Sequence, residues 1–260
     1  MKHYILVLHL LCTVILGSAQ TSSLKKVNST EIEADQFIGI DKFNNSYYIN
    51  QNTIFKKTAS NETMAFQDVL LGDVEKVDIL NPNKISVFYK MANTVVVLDN
   101  RMTEILRLDF NNISPYRNIG FLGTSKDQSL WIYNMDSNLL ELYDYRQKKL
   151  LFQTLPIDDE IIELKSNFNL CYLRTSSKIL VYNIYGSFIG DVAVKDFKSY
   201  DLYKNRLVIH QGNRLNFYNQ NLELKESIEI NFKDYENLLF AGENLYIYND
   251  NKLTTYAINM

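Results

Sequence analysis

Six times along this chain a short apolar segment is followed by a polar turn and then by a second apolar segment, and that repeat constrains the fold more than any other feature. The pairs are SYYINQNTIF from Ser46, ISVFYKMANTVVVLD from Ile85, LWIYNMDSNLLELYD from Leu130, LCYLRTSSKILVYN from Leu170, LVIHQGNRLNFYN from Leu207 and LYIYNDNKLTTYA from Leu245. A polar residue opens each second segment: Asn52, Asn93, Asn138, Ser177, Asn213 and Asn251, at separations of 41, 45, 39, 36 and 38 residues. A period of roughly 40 residues built from short β-branched and aromatic segments is the mark of propeller blades. Asn suits such a turn because its short side chain bonds nearby backbone and tolerates positive φ.

Two residues after each opener stands an apolar side chain (Ile54, Val95, Leu140, Ile179, Leu215, Leu253), and no window holds a 3.6-residue period, so helix is minor or absent. Another apolar strand precedes each pair (QFIGID, EKVDIL, RNIGFL, EIIELK, KSYDLY, ENLLFA), and a fourth follows most of them (TMAFQD, EILRLDF, KLLFQTL, FIGDVAV, LKESIEI). The expected fold is all-β: a six-bladed β-propeller of four-stranded antiparallel blades over residues 20–260. The sixth unit stops at Met260 without a fourth strand, whereas Leu24 to Glu33 precedes the first unit and has none of its own. This N-terminal strand is expected to close the ring, leaving no blade interface exposed.

Before it, Lys2, an apolar run from Ile5 to Gly17 and small residues at Gly17 and Ala19 read as a signal peptide over residues 1–19. The run is too short for the roughly 20 apolar residues of a membrane span. Cleavage removes Cys12, so the mature chain keeps only Cys171 and forms no internal disulfide, which fits a bacterial envelope. The mature chain carries 26 basic and 30 acidic side chains, interspersed, so nothing points to nucleic acid.

His210 is the one histidine left after cleavage, and it shares a repeat column with Ile49, Phe88, Tyr133, Leu173 and Tyr248, which makes it structural. Cys171 shares a column with Tyr47, Ser86, Trp131, Val208 and Tyr246 and reads as a packed strand residue. No HExxH, GxSxG, Walker, GxGxxG or EF-hand pattern occurs, and Asp-box and YWTD repeats are missing. No catalytic, cofactor-binding or metal-ligating residue is assigned, and no cofactor is expected. Asp35, Asp41, Glu75, Asp78, Glu160, Asp201 and Glu236 begin or line expected inner strands. Gathered at one mouth of the channel they form the alternative reading, a Ca²⁺-dependent propeller that binds or hydrolyses a sugar or lactone. The less regular loops at Asn111 to Arg117, Asp158 to Glu160 and Tyr185 to Gly190 are the expected partner surface.

The stretch DVEKVDILNPNKISVFYKMANTVVVLDNRMTEI from Asp73, with SPYRNIGF from Ser114 and LELYDY from Leu140, resembles small periplasmic β-propellers of the Bacteroidota, and among them the plug subunit of the type IX secretion translocon. The resemblance implies a non-enzymatic, periplasmic protein-interaction subunit, monomeric within a hetero-complex. Its partner would be a large outer-membrane translocon barrel whose periplasmic end it seals. It carries no functional residue onto a numbered position. A scaffold for another envelope complex is the remaining alternative.

Overall fold

The computed structural model describes residues 23–232 and 234–259, which form 24 strands and one 3₁₀ turn. The expected signal peptide lies outside the described residues. Strand β1 (Ser23–Glu31) is followed by the first blade, β2 to β5 (Gln36–Ile40, Ser46–Asn50, Thr53–Lys57, Thr63–Phe66). The second blade is β6 to β9 (Lys76–Asp78, Ile85–Tyr89, Thr94–Leu98, Glu104–Asp109), and the third is β10 to β13 (Ile119–Thr124, Ser129–Asn134, Leu139–Asp144, Lys149–Gln153). The fourth is β14 to β17 (Glu163–Ser166, Leu170–Arg174, Lys178–Asn183, Phe188–Ala193), and the fifth is β18 to β21 (Phe197–Tyr203, Arg206–Gln211, Arg214–Tyr218, Leu224–Glu229). The sixth is β22 to β24 (Asn237–Ala241, Asn244–Asn249, Lys252–Asn259) with β1 added as its fourth strand.

Strand β1 runs antiparallel to β24 from Ser23 opposite Asn259 to Glu31 opposite Lys252, so the N-terminal strand closes the ring as the truncated last repeat requires. Each blade is buried on both faces by its neighbours, which is why β7 and β8 (ISVFY, TVVVL) are apolar almost without alternation and buried at every residue. Six apolar clusters fill the six seams. The seam between the third and fourth blades holds twelve buried side chains around Trp131 and Leu173, whereas that between the sixth and first holds five: Phe37, Leu239, Tyr246, Tyr248 and Leu253. The thinnest seam is therefore the one that β1 secures from the outside. There Tyr248 Oη donates to the carbonyls of Ile32 and Ala34 at 3.0 and 3.2 Å.

The turn asparagines do more than turn. Asn52, Asn93, Asn138 and Asn251 adopt φ between 48° and 59°, as the repeat predicts, while at Gly212-Asn213 the glycine takes the positive φ. Three of the four also grip the connection to the next blade. Asn52 Nδ2 donates to the Gly72 carbonyl and its Oδ1 accepts from Val74 N; Asn93 Nδ2 donates to the Arg117 carbonyl at 2.8 Å and its Oδ1 accepts from Ile119 N at 3.1 Å. Asn251 Oδ1 accepts from Ala34 N. One residue type thus sets the hairpin and the blade-to-blade step together.

Two expectations follow. Deleting residues 20–34 removes the sixth blade's outer strand and exposes the thinnest seam, so thermal denaturation should show a melting temperature lower by more than 10 °C; an unchanged melt refutes closure by β1. Asn93→Ala strands two buried backbone groups at a left-handed position and should cost about 2–4 kcal/mol in chemical denaturation. Asn213→Ala, whose amide meets only the exposed Glu229, should cost less than about 0.5 kcal/mol.

Candidate functional site: the crossover face and the channel mouth

The fourth-to-first-strand crossovers and the second-to-third-strand turns emerge on one face of the disc, as the Asn52, Asn93 and Asn251 contacts show. Large apolar side chains stand in the open along an arc of this crossover face. Leu70 (89% exposed) lies between the first and second blades, Met91 (92%) in the second, and Tyr116 (55%) between the second and third. Met135 (45%) lies in the third blade and Leu155 (85%) between the third and fourth. On the rest of this face the described residues put no large apolar side chain in the open; Phe232 and Tyr235 are half-buried and Val194 is buried. Exposed apolar groups spread over consecutive blades mark a contact surface.

Inside the arc, the channel mouth forms a cavity of about 280 Å³ between the second, third and fourth blades, with Phe121, Leu122, Ile162 and Leu164 as apolar walls and Glu75, Lys76, Glu163 and Lys165 as polar ones. Gly120 shapes its rim: a Cβ there would stand 2.4 Å from Met135 Cγ, so only glycine lets Met135 fold over the inner strand. Lys90 Nζ sits over the Phe121 ring at 5.3 Å.

Below the mouth, side chains stitch the inner strands together from the second blade round to the first. Lys76 Nζ donates to the carbonyls of Leu122 and Leu164, both at 2.7 Å, and Lys165 Nζ donates to the Tyr200 carbonyl at 2.7 Å while lying 3.5 Å from Asp201 Oδ1. Asp78 Oδ2 accepts from Thr124 N and Asp201 Oδ2 from Phe240 N, each at 2.8 Å. Ser166 Oγ donates to the Thr124 carbonyl and Asn237 Nδ2 to that of Phe37, which carries the stitching from the sixth blade to the first. Loss of solvent around Lys76 pulls its ammonium below the usual lysine range, against the attraction of Asp78 and Glu163.

The acids singled out in the sequence do not meet. Asp41 is buried and accepts from Phe43 N, Asn45 N, Asn45 Nδ2 and Tyr47 Oη, closing its own turn on the opposite face. Burial, with the bond to Asp41, pushes the Tyr47 phenol far up. Asp35 and Glu236 accept from the turn amides of Gln51 and Asp250. Asp78 and Asp201 serve the stitching, and Glu75 and Glu160 are exposed. Among the described residues no three His, Cys, Asp or Glu side chains come together as metal ligands. The crossover face is nonetheless acidic. Beside the arc, Asp73, Glu75, Asp136, Asp158 and Glu160 are exposed; farther round, Glu33, Asp35, Asp196, Asp234, Glu236 and Asp250 are too. Of the described cations in these connections, Arg117 is buried, Lys90 half-buried and Lys195 exposed. The opposite face mixes signs, with Lys42, Arg101, Lys126, Arg146, Lys148 and Lys204 exposed among Glu62, Asp127, Glu223 and Glu243.

Two of the three irregular loops, Asn111 to Arg117 and Asp158 to Glu160, belong to the crossover face. The third, Tyr185 to Gly190, runs from a turn on the opposite face into outer strand β17. The first is anchored by a buried ion pair, Arg117 Nε to Glu141 Oε2 at 2.5 Å, with the guanidinium over the Tyr143 ring. Cys171 is fully buried, and burial pushes its thiol well up. Trp131 is buried in the seam of the third and fourth blades.

His210 is 1% exposed and stacks on Tyr235, with Nδ1 bonded to the Tyr235 hydroxyl, which in turn bonds Ser199 Oγ at 2.8 Å. Burial first, and Lys198 second, lower its pKa to about 4. The unfolded chain, with an ordinary histidine near 6.5, takes up a proton that the folded chain refuses. Stability should therefore fall as pH drops from 7 to 5, by about 2 kcal/mol from this group, and the loss ends once the folded state protonates near pH 4. Urea denaturation at pH 7 and pH 5 should show that slope in the wild type and a smaller one in His210→Phe; equal slopes would place the pH dependence elsewhere.

No family model matches the sequence, and a search of curated proteins finds no match. Solved structures do match over most of the chain. Virginiamycin B lyase from Staphylococcus aureus is similar with a TM-score of 0.60 at 11% identity, covering 91% of this chain and 99% of that one. The WD40 repeats of RRP9 give 0.60 at 8% identity over 91% and 100%. BamB from Moraxella catarrhalis gives 0.51 at 10% identity over 92% and 82%. At such identities the likeness establishes the propeller fold alone.

Proposed function

We propose that this chain is a non-enzymatic protein-interaction propeller that docks through its crossover face, and in the finer reading the subunit that seals the periplasmic side of the type IX secretion translocon. The carrying observation is the arc of Leu70, Met91, Tyr116, Met135 and Leu155, exposed in consecutive connections of a rigid ring. A closed disc with laced inner strands is suited to covering an opening, and it needs no reaction to do so. The sequence resemblance of the stretch from Asp73 to Ile105 supplies the translocon and the periplasm.

The chemical alternative finds less support in the site. One solved relative in fold is a histidine-to-alanine form of virginiamycin B lyase, described as catalytically inactive and crystallised with quinupristin. Here the described histidine is His210, sealed in a seam with one ring nitrogen held by Tyr235. Of the acids of the alternative Ca²⁺ site, Asp35, Asp78, Asp201 and Glu236 are each spent on a backbone amide and Asp41 on its own turn.

Photo-crosslinking in envelope membranes tests the reading. A benzophenone amino acid at Leu70 or Leu155 should give a discrete adduct with a very large outer-membrane barrel, and the same group at Phe43 or Tyr185, away from the arc, should not. Adducts that form equally from all four positions, or never include such a barrel, overturn the translocon assignment.

A further inference from the structure

The cavity inside the arc narrows what the partner must present, and this inference rests on the docking reading above. Its volume of about 280 Å³ is at or below the lower end of small-ligand pockets, roughly 300–1000 Å³, so it suits an inserted side chain better than a free metabolite. The walls offered to such a side chain are apolar: Phe121, Leu122, Ile162 and Leu164. The lysines on its lining are already engaged, Lys76 with two carbonyls and Lys165 with one carbonyl and Asp201, so the cavity has no cation held ready for an anion.

The rim has the opposite character. Glu75 lines the cavity and is exposed, and Glu160 and Asp158 lie just before Ile162 in the same crossover, exposed as well. Asp73 and Asp136 extend the acidic border along the arc, and the cations around it are engaged: Lys90 is half-buried over the Phe121 ring, Lys178 pairs with Asp159 and Arg174 with Glu163. An apolar socket ringed by carboxylates is complementary to a segment that alternates large apolar side chains with Lys or Arg. The anchor supplies most of the affinity, and the charges supply steering and discrimination.

The geometry points to a basic amphipathic protein segment as the occupant of this face, with one apolar side chain seated in the cavity between the second, third and fourth blades and flanking cations on Glu75, Asp158 and Glu160. An acidic amphipathic segment meets like charge at the exposed rim carboxylates Glu75, Asp158 and Glu160, and a basic segment without apolar residues leaves the socket empty.

Fluorescence anisotropy with the purified protein and three labelled twelve-residue peptides decides it: alternating Lys/Leu, alternating Glu/Leu and alternating Lys/Ser. The Lys/Leu peptide should bind at least tenfold more tightly than either of the others at 0.1 M salt and weaken severalfold at 0.5 M. Ile162→Asp, at an exposed position on the cavity wall, should weaken it at least tenfold. Asp158→Lys with Glu160→Lys should weaken it several-fold while leaving the melting temperature unmoved, and Lys148→Glu on the opposite face should change nothing. If Glu/Leu binds as tightly as Lys/Leu and both are lost in Ile162→Asp, the basic partner is wrong while the docking face survives. If no peptide responds to Ile162→Asp, the cavity and the docking face fall together.

Discussion

A blade has two edge strands, and the inner one is the constraint on which this ring depends. Its backbone amides and carbonyls point into a narrow channel where neither a fifth strand nor bulk solvent is guaranteed, and unpaired buried groups of this kind cost about 1–3 kcal/mol each. The molecule answers with side chains from neighbouring blades: Lys76 on Leu122 and Leu164, Lys165 on Tyr200, Asp78 on Thr124, Asp201 on Phe240. Each bond that satisfies an edge also ties two or three blades together. The outer edges are treated differently. In five of the six blades the pairing of the outermost strand is broken by a register shift, which spoils the edge as a template for further strands.

The blades themselves were legible because their signal is local and repeated six times. Columns such as Ile54, Val95, Leu140, Ile179, Leu215 and Leu253 are buried without exception, and His210 sits buried in the column that contains Phe88 and Tyr248. Closure by β1 followed from counting strands. What the repeat hides is anything that departs from it. Lys76 and Lys165 fall at strand positions where a charge reads as solvated surface, and only the convergence of six strands turns them inward. The acids were read by proximity to strand starts, yet those starts are also where the crossovers present amides, and a single carboxylate with one amide to serve has no reason to join a cluster.

The arc was missed for a related reason. Leu70, Met91 and Leu155 lie in turns and crossovers, outside every column, so a search for periodicity discards them. The available signal was the reverse of periodicity: QDVLLGDVE, YKMAN and TLPIDDE put large apolar residues in loops where no strand partner exists for them. The same loops hold the acids, and the segments that looked like irregular joints between blades are where apolar surface and charge are brought together.

The seams give the placement of that surface a physical logic. Buried side chains number ten between the first and second blades, eleven between the second and third and twelve between the third and fourth, then nine, nine and five round the rest of the ring. The arc runs from the first crossover to the start of the fourth blade, directly over the three fullest seams, and leaves the thin one that β1 closes uncovered. A docking surface loses affinity to whatever ordering binding demands of it, so apolar groups displayed on the best-packed sector lose least. The closing seam, with five buried side chains and a pairing that joins the two chain ends, is where opening is cheapest. Any breathing of the ring is thereby directed to blades that do not hold the socket.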